Sequence, residues 1–170
     1  GTTQAASVSS GEVLGNGSSI GASVSDDGTK VVFESSSSNL VRGDRNGVTD
    51  VFLRDLVAGT TVRVSLTDGD TAANGASSDA MISGDGTKVV FASGATNLVA
   101  GDTNAKRDVF VRDLVAGTTT RISRSGATQG NGASTAPSIS DDGGEVAFET
   151  LASNLVTGDT NGTSDVMVWT

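Results

Sequence analysis

A chain of 170 residues is long enough for one ordinary domain or several small units, and 23 glycines with a single proline suit short strands joined by turns. A net charge of −9 and an isoelectric point near 4.2 give no basic footprint for nucleic acid and nothing to attract an anionic membrane surface, so neither is expected as a partner. With no cysteine and no histidine, disulfides, thiolate metal sites, a cysteine nucleophile and a Ser-His-Asp triad are excluded.

Residues 1–12 contain TTQAASVSS, a strand-like segment in which Val8-Ser9 takes the place that Val64-Ser65 and Ile122-Ser123 take later. A full unit follows over 13–66. It opens at Asn16-Gly17 and predicts a first strand in SSIGASVS, a turn at Asp27-Gly28 and a second strand in KVVFES. Asp-Gly between two apolar runs signals a hairpin, because glycine accepts a positive φ without steric cost. A long polar loop leads to a third strand, DVFLRDL, and the turn VAGT leads to a fourth, TTVRVS. The second strand is apolar on both faces, as between neighbouring sheets, whereas the fourth alternates Val62 and Val64 with Thr61 and Arg63.

The unit recurs over 67–124 as SSDAMIS, Asp85-Gly86, KVVFAS, DVFVRDL and TTTRIS. A third copy, 125–170, has STAPSIS, Asp142-Gly143, EVAFET and DVMVWT, with no fourth strand after it. Phe33, Phe91 and Phe148 are separated by 58 and 57 residues, and so are Asn16, Asn74 and Asn131, and Asp44, Asp102 and Asp159. Four short antiparallel strands per repeat define an all-β chain of three β-propeller blades.

Three blades leave two sheet faces and a strand edge open. The expectation is a head-to-tail, six-bladed ring of two chains, in which residues 1–12 complete the last blade of a partner. A homodimer is the favoured arrangement; a homotrimer and a piece of a longer propeller are the other two. The closeness of the copies (LRDLVAGTT against VRDLVAGTT) fits recent duplication or engineering.

The runs SISDDGxxVAF, DVFVRD and TxR[IV]S resemble the TolB-type repeat, a WD-repeat-like bacterial propeller family, over essentially the whole chain. The resemblance implies the fold and leaves function open; with the acidity, it fits a secreted, extracellular or periplasmic bacterial protein. This chain departs from the short blade of that family in its longer loop between second and third strands.

Those loops share Asp-x-Asn-x-x-x-Asp: Asp44, Asn46, Asp50; Asp102, Asn104, Asp108; Asp159, Asn161, Asp165. Alternating oxygen ligands closed by a later carboxylate suit a hard cation such as calcium. The pattern is similar to the calcium loops of FG-GAP propellers and EF-hands but thinner, with Val48, Lys106 or Thr163 where those place another ligand. The competing reading is an Asx-turn, with Asp50, Asp108 and Asp165 each pinning the entrance of a third strand. No cofactor is required, and calcium is the one candidate. Asn16, Asn74 and Asn131 are expected on the same face and are candidate binding residues. Arg54-Asp55 and Arg112-Asp113 read as structural pairs, and Trp169 as a seam anchor or a core residue.

Among the first strands only Asp79 is acidic, and it is not repeated, so no convergent catalytic set lines the channel. A non-catalytic scaffold or interaction module is expected. The alternative is a multivalent, lectin-like binder of glycan or protein on the long-loop face; a hydrolase has the least support.

Overall fold

Asp27 builds the first hairpin: its Oδ1 accepts hydrogen bonds from Thr29 N and Ser25 Oγ, while Gly28 adopts a left-handed φ of 68°. The turn joins β1 (Ser19–Val24) to β2 (Lys30–Ser35). β3 (Asp50–Asp55) and β4 (Thr60–Arg63) complete an antiparallel sheet in the order β1-β2-β3-β4. The computed structural model describes all of residues 1–170 and holds no helix.

The second sheet repeats the order with β5 (Ser77–Ile82), β6 (Lys88–Ser93), β7 (Asp108–Asp113) and β8 (Thr118–Arg121). A two-stranded ribbon, β9 (Arg124–Ser125) and β10 (Thr128–Gln129), leads into a third sheet of β11 (Ser134–Ile139), β12 (Val146–Thr150) and β13 (Asp165–Trp169). The expected strands of the three blades are thus present in order, but residues 1–12 form no strand, only an isolated bridge of Val8 with Leu14, and the ribbon is an addition to the expected elements. Each first strand also carries a bulge at a left-handed residue: Gly21, Asp79 or Ala136.

Alternation decides which neighbour each side chain meets. Val32, Val51 and Leu53 of the first sheet pack with Ala80, Ile82, Val89 and Phe91 of the second. Val90, Ala92, Val109 and Val111, on the second sheet's other face, pack with Val146, Phe148, Ala152 and Leu155. The core therefore lies between the sheets, and the middle blade is apolar on both sides. Phe33 stacks on Phe52 and Phe91 on Phe110, with ring centroids 5.9 and 5.8 Å apart.

The N-terminal register differs from the sequence expectation by two residues. Val8 N bonds to Ala6 O as Leu66 N bonds to Val64 O, and Thr61 Oγ1 donates to Val8 O as Thr119 Oγ1 donates to Leu66 O. Val8 is therefore the counterpart of Leu66, and Ala6-Ser7, not Val8-Ser9, corresponds to Val64-Ser65. Val8 through Glu12 fold back on the chain's own first blade, where Arg54 donates to Ser9 O and pairs with Glu12. Gly1 through Ala5, ahead of this fold-back, are exposed.

Candidate functional site

The candidate residues of the first two long loops converge around an arginine. Antiparallel pairing sets Arg63 of β4 opposite Phe52 of β3, so its side chain reaches the start of that same strand. Its Nη2 lies 2.7 Å from Asp44 Oδ1, its Nε lies 3.4 Å from Asp50 Oδ2, and its guanidinium stands 5.9 Å from the Phe52 ring centroid. Arg121 repeats this in the second blade, 3.2 Å from Asp102 and 3.7 Å from Asp108. All of these charged side chains are buried.

Asn46 Nδ2 donates to Asp50 Oδ2 at 2.8 Å and to Ala73 O; Asn104 Nδ2 does the same to Asp108 and Gly130 O. The asparagine oxygens accept from Val48 N and Lys106 N, an Asx-turn made by Asn46 and Asn104 and not by Asp50 and Asp108. Asp50 and Asp108 also accept from Ser65 and Ser123, which lie two residues beyond β4 and β8. Burial pushes the Asp50 carboxyl up, opposed by the bonds from Asn46 and Ser65 and by Arg63. Burial likewise pushes Asp102 up, the neighbouring Asp108 adds to this, and Arg121 opposes it. Asp102 makes no hydrogen bond and is held by charge alone. These loops therefore present a guanidinium and amide donors where calcium needs acceptor oxygens. Lys106 is exposed, and no carboxylate of this cluster pairs with it.

In the third blade Asn161 Nδ2 donates to both oxygens of Asp165 and Thr163 N donates to Asn161, so the turn is retained. Asp159, Asn161 and Asp165 line an open cavity of about 250 Å³ with no arginine among its lining residues.

Asn16, Asn74 and Asn131 each close a reciprocal clamp within their own blade. Asn74 N donates to Asn97 Oδ1, its Nδ2 donates to Thr96 Oγ1, and its Oδ1 accepts from Thr96 N. Asn16 does the same with Asn39 and Ser38, and Asn131 with Asn154 and Ser153. The clamp ties the blade entrance to the base of the long loop and leaves these amides little free hydrogen-bonding capacity.

The larger accessible feature is the pair of end faces. Val109 and Val111 of β7 are 0% and 7% exposed beneath the third blade, whereas their counterparts on β13, Val166 and Val168, are 70% and 63% exposed. At the other end Val24 of β1 is 56% exposed, against 5% for its counterpart Ile82. Beside it Ala6, Ile20, Gly21, Ala22, Val31 and Phe33 line a largely apolar cavity of about 210 Å³. Trp169 points the other way, partly buried against the second interblade cluster. The arginines were legible as the shared Arg of TTVRVS and TTTRIS; what concealed their role was the strand pairing that carries them to the loop.

No family model matches the chain, and no curated protein matches it significantly. Solved structures do. A putative TolB from Agrobacterium tumefaciens aligns with a TM-score of 0.53 at 19% identity, over 81% of this chain and 40% of its own. TolB from Acinetobacter baumannii gives 0.52 at 19%, over 91% of this chain and 29% of its own. The β-propeller domain of the Trilobed protease from Pyrococcus furiosus, described as having an open velcro topology, gives 0.50 at 11%, over 80% and 39%. At these identities the likeness concerns the fold: the chain has a TolB-like β-propeller architecture. It spans 40% or less of each of those chains.

Proposed function

We propose that this chain is a non-catalytic propeller scaffold that associates head to tail with copies of itself, two copies making a six-bladed ring. The observation that carries this is the contrast between Val166 and Val168, which are exposed, and Val109 and Val111, which the next blade buries. The two end faces are the two halves of an interface the chain already builds twice internally. Covering one such valine contributes on the order of 1.5–3 kcal/mol, so several at each junction give association a driving force. The long loops act as locks within blades, with arginine as the cation of the first two. No histidine, cysteine or tyrosine is available to form an acid–base or nucleophilic centre.

Two single variants test the head-to-tail geometry. Val166→Asp spoils the trailing face and Val24→Asp the leading face, so each alone is expected to remain a monomer. Mixed, they retain one native junction, formed by the leading face of the first and the trailing face of the second, and are expected to form an open heterodimer. A mixture that stays monomeric while the unmodified chain associates contradicts the pairing of these faces. If the unmodified chain is itself monomeric, the faces belong to blades on a longer polypeptide.

A further inference from the structure

The junction between copies, if built like the internal ones, lacks cations that both internal junctions possess. At the first internal junction Lys30 Nζ donates to Gly86 O at 2.9 Å; at the second Lys88 Nζ donates to Gly143 O at 2.9 Å. Each lysine starts the second strand of one blade and reaches the first hairpin turn of the next. In the third blade the same position, one residue before β12, is Glu145. At a junction between copies it meets Gly28 of the next copy, beside Asp26 and Asp27. Those turns are already acidic: Asp26, Asp27, Asp85, Asp141 and Asp142 line one cavity.

A second cation is missing on the opposite rim. Gly1-Thr2-Thr3 matches Gly59-Thr60-Thr61 and Gly117-Thr118-Thr119. Ala5 therefore stands where Arg63 and Arg121 stand. Added to the free edge of β13 in the internal register, the exposed segment Thr2–Ala5 of another copy pairs Trp169 with Thr3 and Met167 with Ala5. Ser7 of that copy then meets Asp165 as Ser65 and Ser123 meet Asp50 and Asp108. The Asp159 and Asp165 carboxylates, however, receive no guanidinium. One acidic contact is kept: Glu34 Oε1 accepts from Asp79 N across the first junction, and Glu149, at the matching place in the third blade, is aligned to accept from Gly21 N of the next copy.

We propose that the surface joining two copies is an anion-rich version of the internal blade interface, and that this charge excess makes association weak at low ionic strength and stronger as salt rises. The proposal rests on the head-to-tail reading above and adds how that association is regulated. Its physical basis is like-charge repulsion between chains of net charge −9, concentrated at Glu145 against Asp26 and Asp27 and at the Asp159–Asp165 pair.

Sedimentation equilibrium across a sodium chloride series, with Glu145→Lys and Ala5→Arg, tests it. Glu145 and Ala5 are exposed in the isolated chain, so neither change is expected to disturb the fold. The unmodified chain is expected to bind its copy more tightly as salt rises. Each restored cation is expected to lower Kd at low salt about tenfold or more, as a charge-assisted hydrogen bond does, and to flatten the salt response. Association that weakens with salt, or a Kd that neither variant moves, overturns the proposal while leaving head-to-tail assembly intact. Absence of association in all three proteins at every salt concentration overturns both.

Discussion

Arg63 Nη2 sits 2.7 Å from Asp44 Oδ1, and 58 residues later Arg121 Nη1 sits 3.2 Å from Asp102 Oδ1. Each arginine comes from a fourth strand and each aspartate from a loop that would otherwise hang free. The pair therefore fastens the longest connection of the blade to its outer edge. Because the charges are buried, they are stable only together.

Removing the cation is expected to be costly. Arg63→Met leaves Asp44 and Asp50 buried without an opposite charge and should destabilise the fold by about 3–5 kcal/mol in urea unfolding. The triple change Arg63→Met, Asp44→Asn, Asp50→Asn should recover most of that loss. Excess EDTA should leave the melting temperature of the unmodified chain unchanged, since arginine already supplies the positive charge of the first two loops and Asn161 holds Asp165 in the third.

The middle blade carries most of the core. Phe91 is fully buried, stacks on Phe110 and joins the cluster between the first two sheets. Phe91→Ala should cost about 3–5 kcal/mol, from lost transfer energy and the cavity left behind. An m-value equal to that of the unmodified chain would show that the loss lies in the native state.

Acid stability should be set by the first hairpins. The Asp27 carboxyl is lowered to about 2, mainly by the hydrogen bond from Ser25 and then by those from Thr29. Asp85 and Asp142 are lowered by equivalent bonds, led by Ser83 and by Gly144 N respectively. For an acid held below its ordinary value, the stabilisation is present above the unfolded pKa and is lost as pH falls through the folded one. Asp50 and Asp102 are raised and act in the opposite sense: the cost of keeping them ionised disappears as they take up protons. Urea midpoints measured between pH 5 and pH 2 should therefore fall steadily for the unmodified chain. The slope should be shallower for Asp27→Asn, which keeps the turn but does not titrate.

The asparagine clamps should behave as three equal, independent fasteners. Asn74→Ala removes two side-chain hydrogen bonds at a solvent-facing site and should cost about 1 kcal/mol. Asn16→Ala and Asn131→Ala should cost the same, and the triple variant close to the sum, because the sites share no partners.

How much of this the sequence disclosed depended on the range of the interaction. Asp27-Gly28 and its two copies marked the hairpins because turn chemistry is local, and the steps of 58 and 57 residues marked the blades because repetition needs no contact information. The Asp-x-Asn loop reads as calcium or Asx-turn, and the turn is local enough to show in the residue types, but Asn46, Asn104 and Asn161 make it by accepting from Val48, Lys106 and Thr163 N, not Asp50, Asp108 and Asp165. The role of the arginine does not show there, because only the pairing of Phe52 with Arg63 brings it to Asp44. The N-terminal register went astray on a shared Val-Ser dipeptide. The backbone aligns Val8 with Leu66 through Thr61 and Thr119, a match that side-chain identity conceals.

The most direct measurement is the molar mass of the 170-residue chain by light scattering over a range of concentrations at high salt. Two copies joined through Val166 and Val168 on one side and Val24 on the other give a concentration-dependent rise to twice the 16.8 kDa of one chain. A mass fixed at that of a single chain throughout, with those valines still accessible to solvent, would contradict the assembly proposed.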